Sequence, residues 1–187
     1  MLDVAGVIAA NFSPQFWQEL TSRYEIPYDS LVHFKHEIRV KLWTGVISED
    51  EFWNELTSSF PTIDKDDARQ LLLSEITPLP AANEIPRWSK YANIHLLSNH
   101  RVEWIEHIVT PLKPYLRSVT ISSAVGCCKP DAAIYTLVEQ HCEQQGFILF
   151  VDDQTKNFYD PVLRGWTTLL ADEQGDWVKQ VNRYLRA

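Results

Sequence analysis

From about residue 79 onward the chain alternates short apolar runs with helical stretches, a rhythm that few architectures accept. The runs NIHLLSN, SVTISSA, GFILFVDD and WTTLLAD read as strands, with helices expected between them near 102–108, 131–144 and 154–163. Nearly continuous apolar strands separated by helices imply a parallel sheet covered on both faces. The opening LDVAGVI supplies a first strand, but a helical block separates it from the others. Through that block apolar residues recur three and four apart, as in Phe16 and Leu20, or Leu31, Phe34, Ile38 and Leu42. ISEDEFWNEL begins like a capped helix, with Ser48 at the cap and Glu51 three residues on, and DKDDARQLLLSEI reads as one more helix. The expected fold is a doubly wound α/β core of residues 1–11 and 79–187. A helical-bundle subdomain, residues 12–78, is inserted after the first strand.

Ligands of such sheets bind at the carboxyl ends of the strands, so the residues delivered there matter most. The first strand delivers Asp3, HLLSN delivers Ser98 and Asn99, and FILFVDD delivers Asp152 and Asp153. The segment VTISSAVGCCKPD leads to Lys129, just before Pro130 at an expected helix start. Ser98, Asn99 and Asp153 also stand where helix caps stand, and capping alone accounts for any one of them. It does not account for Asp3, an acid pair after an apolar strand, and a lysine on the same edge. Clustered carboxylates repel unless a cation neutralises them. Magnesium takes one or two carboxylates with phosphate oxygens and water, which suits phosphoryl chemistry.

Composition narrows the partners. The 187 residues are 45% hydrophobic and 22% charged, with a net charge of −8 and no offsetting basic run, which argues against nucleic acid. No apolar run approaches a membrane span, and no signal peptide is seen. The three cysteines lack zinc-site spacing and read as free thiols of a cytoplasmic protein.

LDVAGVI, LLSN, GCCKPDAAIY and FVDDQTKNF, in this order and at natural spacing, resemble the four motifs of the haloacid-dehalogenase-like hydrolase superfamily. The helical block matches the inserted cap of that family in place and size, and TGVISEDEFW resembles cap segments of its small-sugar-phosphatase and epoxide-hydrolase-related branch. The resemblance implies a Rossmann-like core and a magnesium-dependent phosphatase acting on a small phosphorylated metabolite. Asp3 would be the nucleophile that forms an aspartyl-phosphate. Ser98, with the backbone N–H beside it at Asn99, would bind the phosphoryl oxygens, and Lys129 would neutralise charge in the transition state. Asp3, Asp152, Asp153 and the backbone carbonyl of Ala5 would hold magnesium, with Asp153 the closer of the acid pair.

Two departures stand out. Phosphatases of the family usually carry a second Asp where this chain has Ala5, so the general acid, worth about 10² to 10⁴ in rate, is missing. Only Met1 and Leu2 precede Asp3, so either the first strand is stunted or the chain starts upstream. The alternatives are a weakly active or inactive protein that binds a phosphorylated ligand or a protein partner, and dehalogenation or phosphonate cleavage on the same nucleophile. Phosphonate cleavage needs a cap lysine, and Lys35 and Lys41 read instead as surface residues. His33 and His36 read as a solvated face. Trp43 could line the entrance or simply pack, and His100 is the one nearby imidazole that could replace the missing acid.

Overall fold

A computed structural model describes residues 1–142, 146–172 and 175–185. Segment 1–3 is followed by four helices, α1 (Ser13–Tyr24), α2 (Tyr28–Trp43), α3 (Glu49–Ser59) and α4 (Lys65–Glu75). The capping box is present: Ser48 accepts from the Glu51 backbone, and the Glu51 side chain accepts from the Ser48 backbone. Asp64 caps α4 in the same sense by accepting from the Asp67 N–H. The remaining elements are α5 (Ile85–Trp88), β1 (His95–Ser98), α6 (Val102–Val109), β2 (Ser118–Ile121), α7 (Ser122–Val125), α8 (Ala132–Glu139), β3 (Leu149–Asp152), α9 (Tyr159–Leu163), β4 (Thr167–Leu170) and α10 (Asp176–Tyr184).

β1 pairs with β2 and β3 with β4, both in parallel. Leu2 bridges Leu96 on one side and Val151 on the other, so the sheet runs β2, β1, segment 1–3, β3, β4. The ladder at its centre is short. Leu2 N–H donates to His95 O, Leu97 N–H to Leu2 O, Asp3 N–H to Val151 O and Val151 N–H to Met1 O.

Alternation along the strands then separates two cores. Leu2, Leu96 and Val151 pack with Ile105 and Trp177 on one face, while Leu97 and Phe150 pack with Ile134, Tyr135 and Trp166 on the other. The sheet is therefore covered on both faces, as a doubly wound α/β fold requires. Buried residues of α1–α4 belong to the first of these cores, so the helical block shares its apolar interior with the sheet.

Several expectations need correction. LDVAGVI does not run on as a strand: after Asp3 the chain turns, and the N–H groups of Ile8 and Ala9 both reach Val4 O. Gly6, at φ +73°, makes that turn. SVTISSA stops being a strand at Ile121 and continues as α7. The helix expected over 154–163 is a 3₁₀ turn, Thr155–Asn157, followed by α9. The helix expected over 131–144 runs only from Ala132 to Glu139, and the last two residues of the expected span lie outside the described residues. No helix among the described residues is long and apolar enough to cross a membrane.

Two links fasten the helical block to the sheet. Arg101, 6% exposed, donates through Nη1 to Ile47 O at 2.6 Å, and Trp104 Nε1 donates to Glu49 Oε1 at 2.8 Å. Between these loops the backbones touch. A Cβ on Gly45 would lie 2.1 Å from Ser123 O, so only glycine permits the approach.

Candidate active site

Three of the predicted residues stand at the carboxyl end of the sheet because a strand ends there, and Lys129 is brought to them by the loop that follows α7. Asp3 closes segment 1–3, Ser98 closes β1 and Asp152 closes β3. Asp3, Ser98, Lys129 and Asp152 are all buried, with Ser98 and Asp152 completely so. Lys129 Nζ lies 2.9 Å from Asp3 Oδ2 and 2.5 Å from Asp152 Oδ2. Asp3 Oδ1 accepts from the Val4 N–H at 2.7 Å. Carboxylate oxygens of Asp3, Asp152 and Asp153 all lie within 4.8 Å of one another.

Asn99 does not cap α6. It grips the backbone of Lys129, accepting from its N–H at 2.7 Å and donating to its carbonyl at 2.8 Å. Its role is thus to hold the lysine loop in place, which spacing in the sequence does not reveal. Asp153 does not start a helix either, since Gln154 and the 3₁₀ turn intervene. Lys129 and Pro130 precede the helix rather than open it: α8 begins at Ala132, with Asp131 accepting from the Ala133 N–H.

The sequence reading missed Asn157. Its Nδ2 donates to both oxygens of Asp152, at 2.9 and 3.0 Å, while the Gln154 N–H donates to Asp152 Oδ1 at 2.8 Å. With Lys129 added, Asp152 is fully engaged by protein donors. Asp153, only partly buried, is freer to meet a ligand. A Cβ on Gly6 would lie 2.6 Å from Asp153 Cγ, so the glycine also lets the first turn close against this acid. Ala5 is half-buried and bridges Ala9, and its side chain is a methyl group that cannot donate a proton.

The electrostatics follow from burial. Desolvation drives Asp3 up to about 6, against the attraction of Lys129, and the charge of Asp152 adds to the rise. Asp153 is raised for the same two reasons, burial first and then Asp152. Burial pulls the Lys129 ammonium down, but two carboxylates outweigh it and hold the group above its ordinary value. Lys129 draws on both acids whereas Asp3 has one lysine, so the lysine stays charged while Asp3 is the strained partner. Three carboxylates against one ammonium leave a local formal charge of −2 when all are ionised. The Ser98 hydroxyl is near enough to favour charge on Asp3, yet it is fully buried and, among the described residues, has no partner at hydrogen-bonding geometry. A buried orphan hydroxyl beside an acidic cluster awaits an acceptor. Hard oxygen donors, a charge deficit of two and that hydroxyl all fit a divalent cation with a phosphoryl group.

His100 does not supply an acid. It is 2% exposed, ringed by Phe12, Trp43 and Trp104, and accepts through Nδ1 from the Arg101 N–H. Burial lowers it to about 4, so the imidazole is neutral near pH 7. Trp43 packs in the same aromatic group. His33 pairs with Glu37 on an exposed face. A groove of about 540 Å³ lined by Met1, Ile94, Phe147 and Tyr184 holds none of the predicted site residues and lies at the opposite ends of the strands.

A parallel sheet with Asp3, Ser98, Lys129 and an acid pair on one rim invites comparison with solved structures. The HAD-family enzyme BT-2542 of Bacteroides thetaiotaomicron, in complex with magnesium and inorganic phosphate, matches with TM-score 0.78 at 15% identity, over 94% of each chain. The chain has the haloacid-dehalogenase-like fold. A predicted HAD-like family hydrolase from Porphyromonas gingivalis matches at TM-score 0.73 and 18% identity, over 100% of this chain and 96% of that one. The L-2-haloacid dehalogenase of Xanthobacter autotrophicus, solved with chloropropionic acid covalently bound, matches at 0.62 and 15% identity, over 93% and 78%. No family model matches the sequence, and neither does any curated protein.

Proposed function

We propose that this haloacid-dehalogenase-like protein is a magnesium-dependent hydrolase, a phosphatase acting on a small phosphate ester through Asp3. The observation that carries the reading is the pairing of a buried Asp3 and Lys129 beside a partnerless Ser98 hydroxyl and two further acids. Asp3 attacks phosphorus with Oδ2 and becomes the aspartyl-phosphate, the ester oxygen leaves, and water later releases phosphate. Lys129 holds positive charge against the nucleophile and the transferring group, and Ser98 donates to a phosphoryl oxygen. Asp3, Asp153 and the Ala5 carbonyl would hold magnesium, with Asp152 behind them, and the bound ion supplies charge neutralisation at the phosphoryl group. Residues 12–78 serve in this reading as the cap over the site. The magnesium complex of BT-2542 supports the cofactor, and the dehalogenase likeness keeps halide release as an assay to run beside phosphate release.

Hydrolysis of an aryl phosphate with and without magnesium tests the proposal, because its leaving group needs little help from an acid. Turnover is expected only with the metal. Millimolar magnesium should also raise the melting temperature, since a ligand bound by the folded state alone stabilises it. Asp153→Asn should lose most of that shift. A melting curve indifferent to magnesium would remove the metal from the mechanism.

Ala5 favours a second reading, a weakly active protein that mainly binds its phosphorylated ligand. Neither the methyl group nor the walled-off His100 can protonate a leaving oxygen. Ala5→Asp discriminates between the two. If the missing acid limits turnover, alkyl phosphates gain several-fold and up to about 10², while aryl phosphates barely change. Equal or lower alkyl-phosphate turnover in a folded, magnesium-binding variant would show that the acid is not what limits this protein.

A further inference from the structure

We propose that Tyr135 is a positioning residue of this site: its hydroxyl fixes Asn157, and through Asn157 it sets Asp152 and Lys129 against Asp3. The inference rests on the hydrolase reading and adds to it a residue outside the charged cluster.

The bonds run without a gap. Tyr135 Oη donates to Asn157 O at 2.8 Å. Asn157 Nδ2 donates to both oxygens of Asp152, at 2.9 and 3.0 Å. Asp152 Oδ2 meets Lys129 Nζ at 2.5 Å, and the same ammonium lies 2.9 Å from Asp3 Oδ2. All five residues are buried, Tyr135 and Asp152 completely. Lys129 stands in the loop before α8 and Tyr135 within that helix. One segment thus holds Asp152 twice, once directly and once through Asn157.

Two observations give the hydroxyl its weight. Tyr135 packs with Leu97, Ile134, Val138, Phe150 and Trp166, its ring edge-on to Phe150 and Trp166 at 6.1 and 5.9 Å. Such a place suits phenylalanine, and a hydroxyl buried there is costly unless it is bonded. Its bond goes to Asn157 O. The second observation is that Asn157 Oδ1 is buried and, among the described residues, has no hydrogen-bond partner. Nothing steers the far side of that amide, so its aim at Asp152 depends on where the backbone is placed. That backbone belongs to a single 3₁₀ turn, in which the Asn157 N–H donates to Gln154 O at 3.0 Å. A lone 3₁₀ turn has poor hydrogen-bond geometry of its own, and the Tyr135 hydroxyl ties its carbonyl end to α8.

The test is a double-mutant cycle of Tyr135→Phe and Asn157→Ala, read on kcat and KM for 4-nitrophenyl phosphate with saturating magnesium. Tyr135→Phe keeps the packing and removes only the bond. It should lower kcat about fivefold with KM held within about twofold, a fraction of what a buried hydrogen bond is worth. Asn157→Ala should cost about 10- to 100-fold, the usual scale for a partner just behind the groups at a metal site. Adding Tyr135→Phe to Asn157→Ala should change kcat no further, because the route through Asn157 is already cut. A merely structural tyrosine would lower the melting temperature and leave kcat alone. Wild-type kcat in Tyr135→Phe, or losses that multiply in the double variant, overturn the proposal. If the wild type hydrolyses nothing, the hydrolase reading falls, and the cycle is read on the magnesium concentration that half-saturates the melting shift. A rise of about threefold or more in Tyr135→Phe, absent from the Asn157→Ala background, then upholds the positioning role. Equal midpoints refute it, and a wild type with neither turnover nor a magnesium shift removes both proposals.

Discussion

Replacing Asp3 by Asn lowers turnover by at least about 10³-fold, as expected for a lost nucleophile, and raises the melting temperature of the metal-free protein. The first effect is chemical, since an amide oxygen in the same place carries no charge to attack phosphorus. The second follows from the electrostatics of an acid held at about 6 by burial. Its folded pKa lies above the unfolded one, so the folded state binds the proton more tightly. Stability therefore falls as pH rises from about 4 through about 6, and at pH 7 the ionised side chain is a net burden. Asn keeps the acceptor for the Val4 N–H and leaves Lys129 paired with Asp152. Thermal melting without magnesium, beside an aryl-phosphate assay, checks both halves. A variant that melts well below the wild type would mean that the Asp3–Lys129 attraction outweighs the burial of the carboxylate. A variant that still turns over would place the activity elsewhere.

The opposite sign is expected for Lys129→Met. Removing the ammonium leaves Asp3 and Asp152 buried and facing each other without the cation that now bridges them. Breaking a buried pair by deleting one partner costs about 3–5 kcal/mol. For a chain of this size that corresponds to a drop in Tm of about 6 to 20 °C. The loss should be smaller at pH 5 than at pH 8, because protonation of Asp3, which burial already holds at about 6, relieves it. Adding Asp3→Asn to the lysine variant should recover part of the loss, since a single buried acid then remains. Melting curves of the single and double variants at the two pH values decide the matter. Additive losses with no dependence on pH would show that Lys129 contributes packing alone. Turnover should vanish in either variant.

The site was legible because polar residues stand where apolar runs stop, and the parallel sheet places every such stop on one rim. Asp3, Ser98, Asp152 and Asp153 needed nothing more than that, whereas Lys129 lies past α7 and was found through the segment GCCKPD. What lay beyond the sequence was set by partners distant along the chain. Asn99 looked like a cap because caps are local, but it binds Lys129 from 30 residues away. Asn157 carried no signal, since its worth depends on a 3₁₀ turn that brings it back to Asp152. His100 was a candidate acid until the aromatic side chains of the helical block enclosed it. Strand lengths were also overread: apolar residues such as Val4, Val7 and Ile8 are buried without extending the ladder, and burial alone does not distinguish a strand from a packed turn.

Leu2 is the rung that joins the two strand pairs, and this has a consequence for how the protein is made. Its neighbours in the sheet lie about ninety and about one hundred and fifty residues further along the chain, as Leu96 and Val151. β1 with β2, and β3 with β4, can each close over short separations, while the join between them waits for contacts that span most of the chain. Distant contacts form late because the loop they close must first be ordered. The residue after Leu2 is Asp3, so its carboxylate enters the rim in the same event that fuses the sheet. Partly folded chains would then carry the lysine and the acid pair without Asp3, and on the proposed mechanism chemical competence would arrive only with the completed fold.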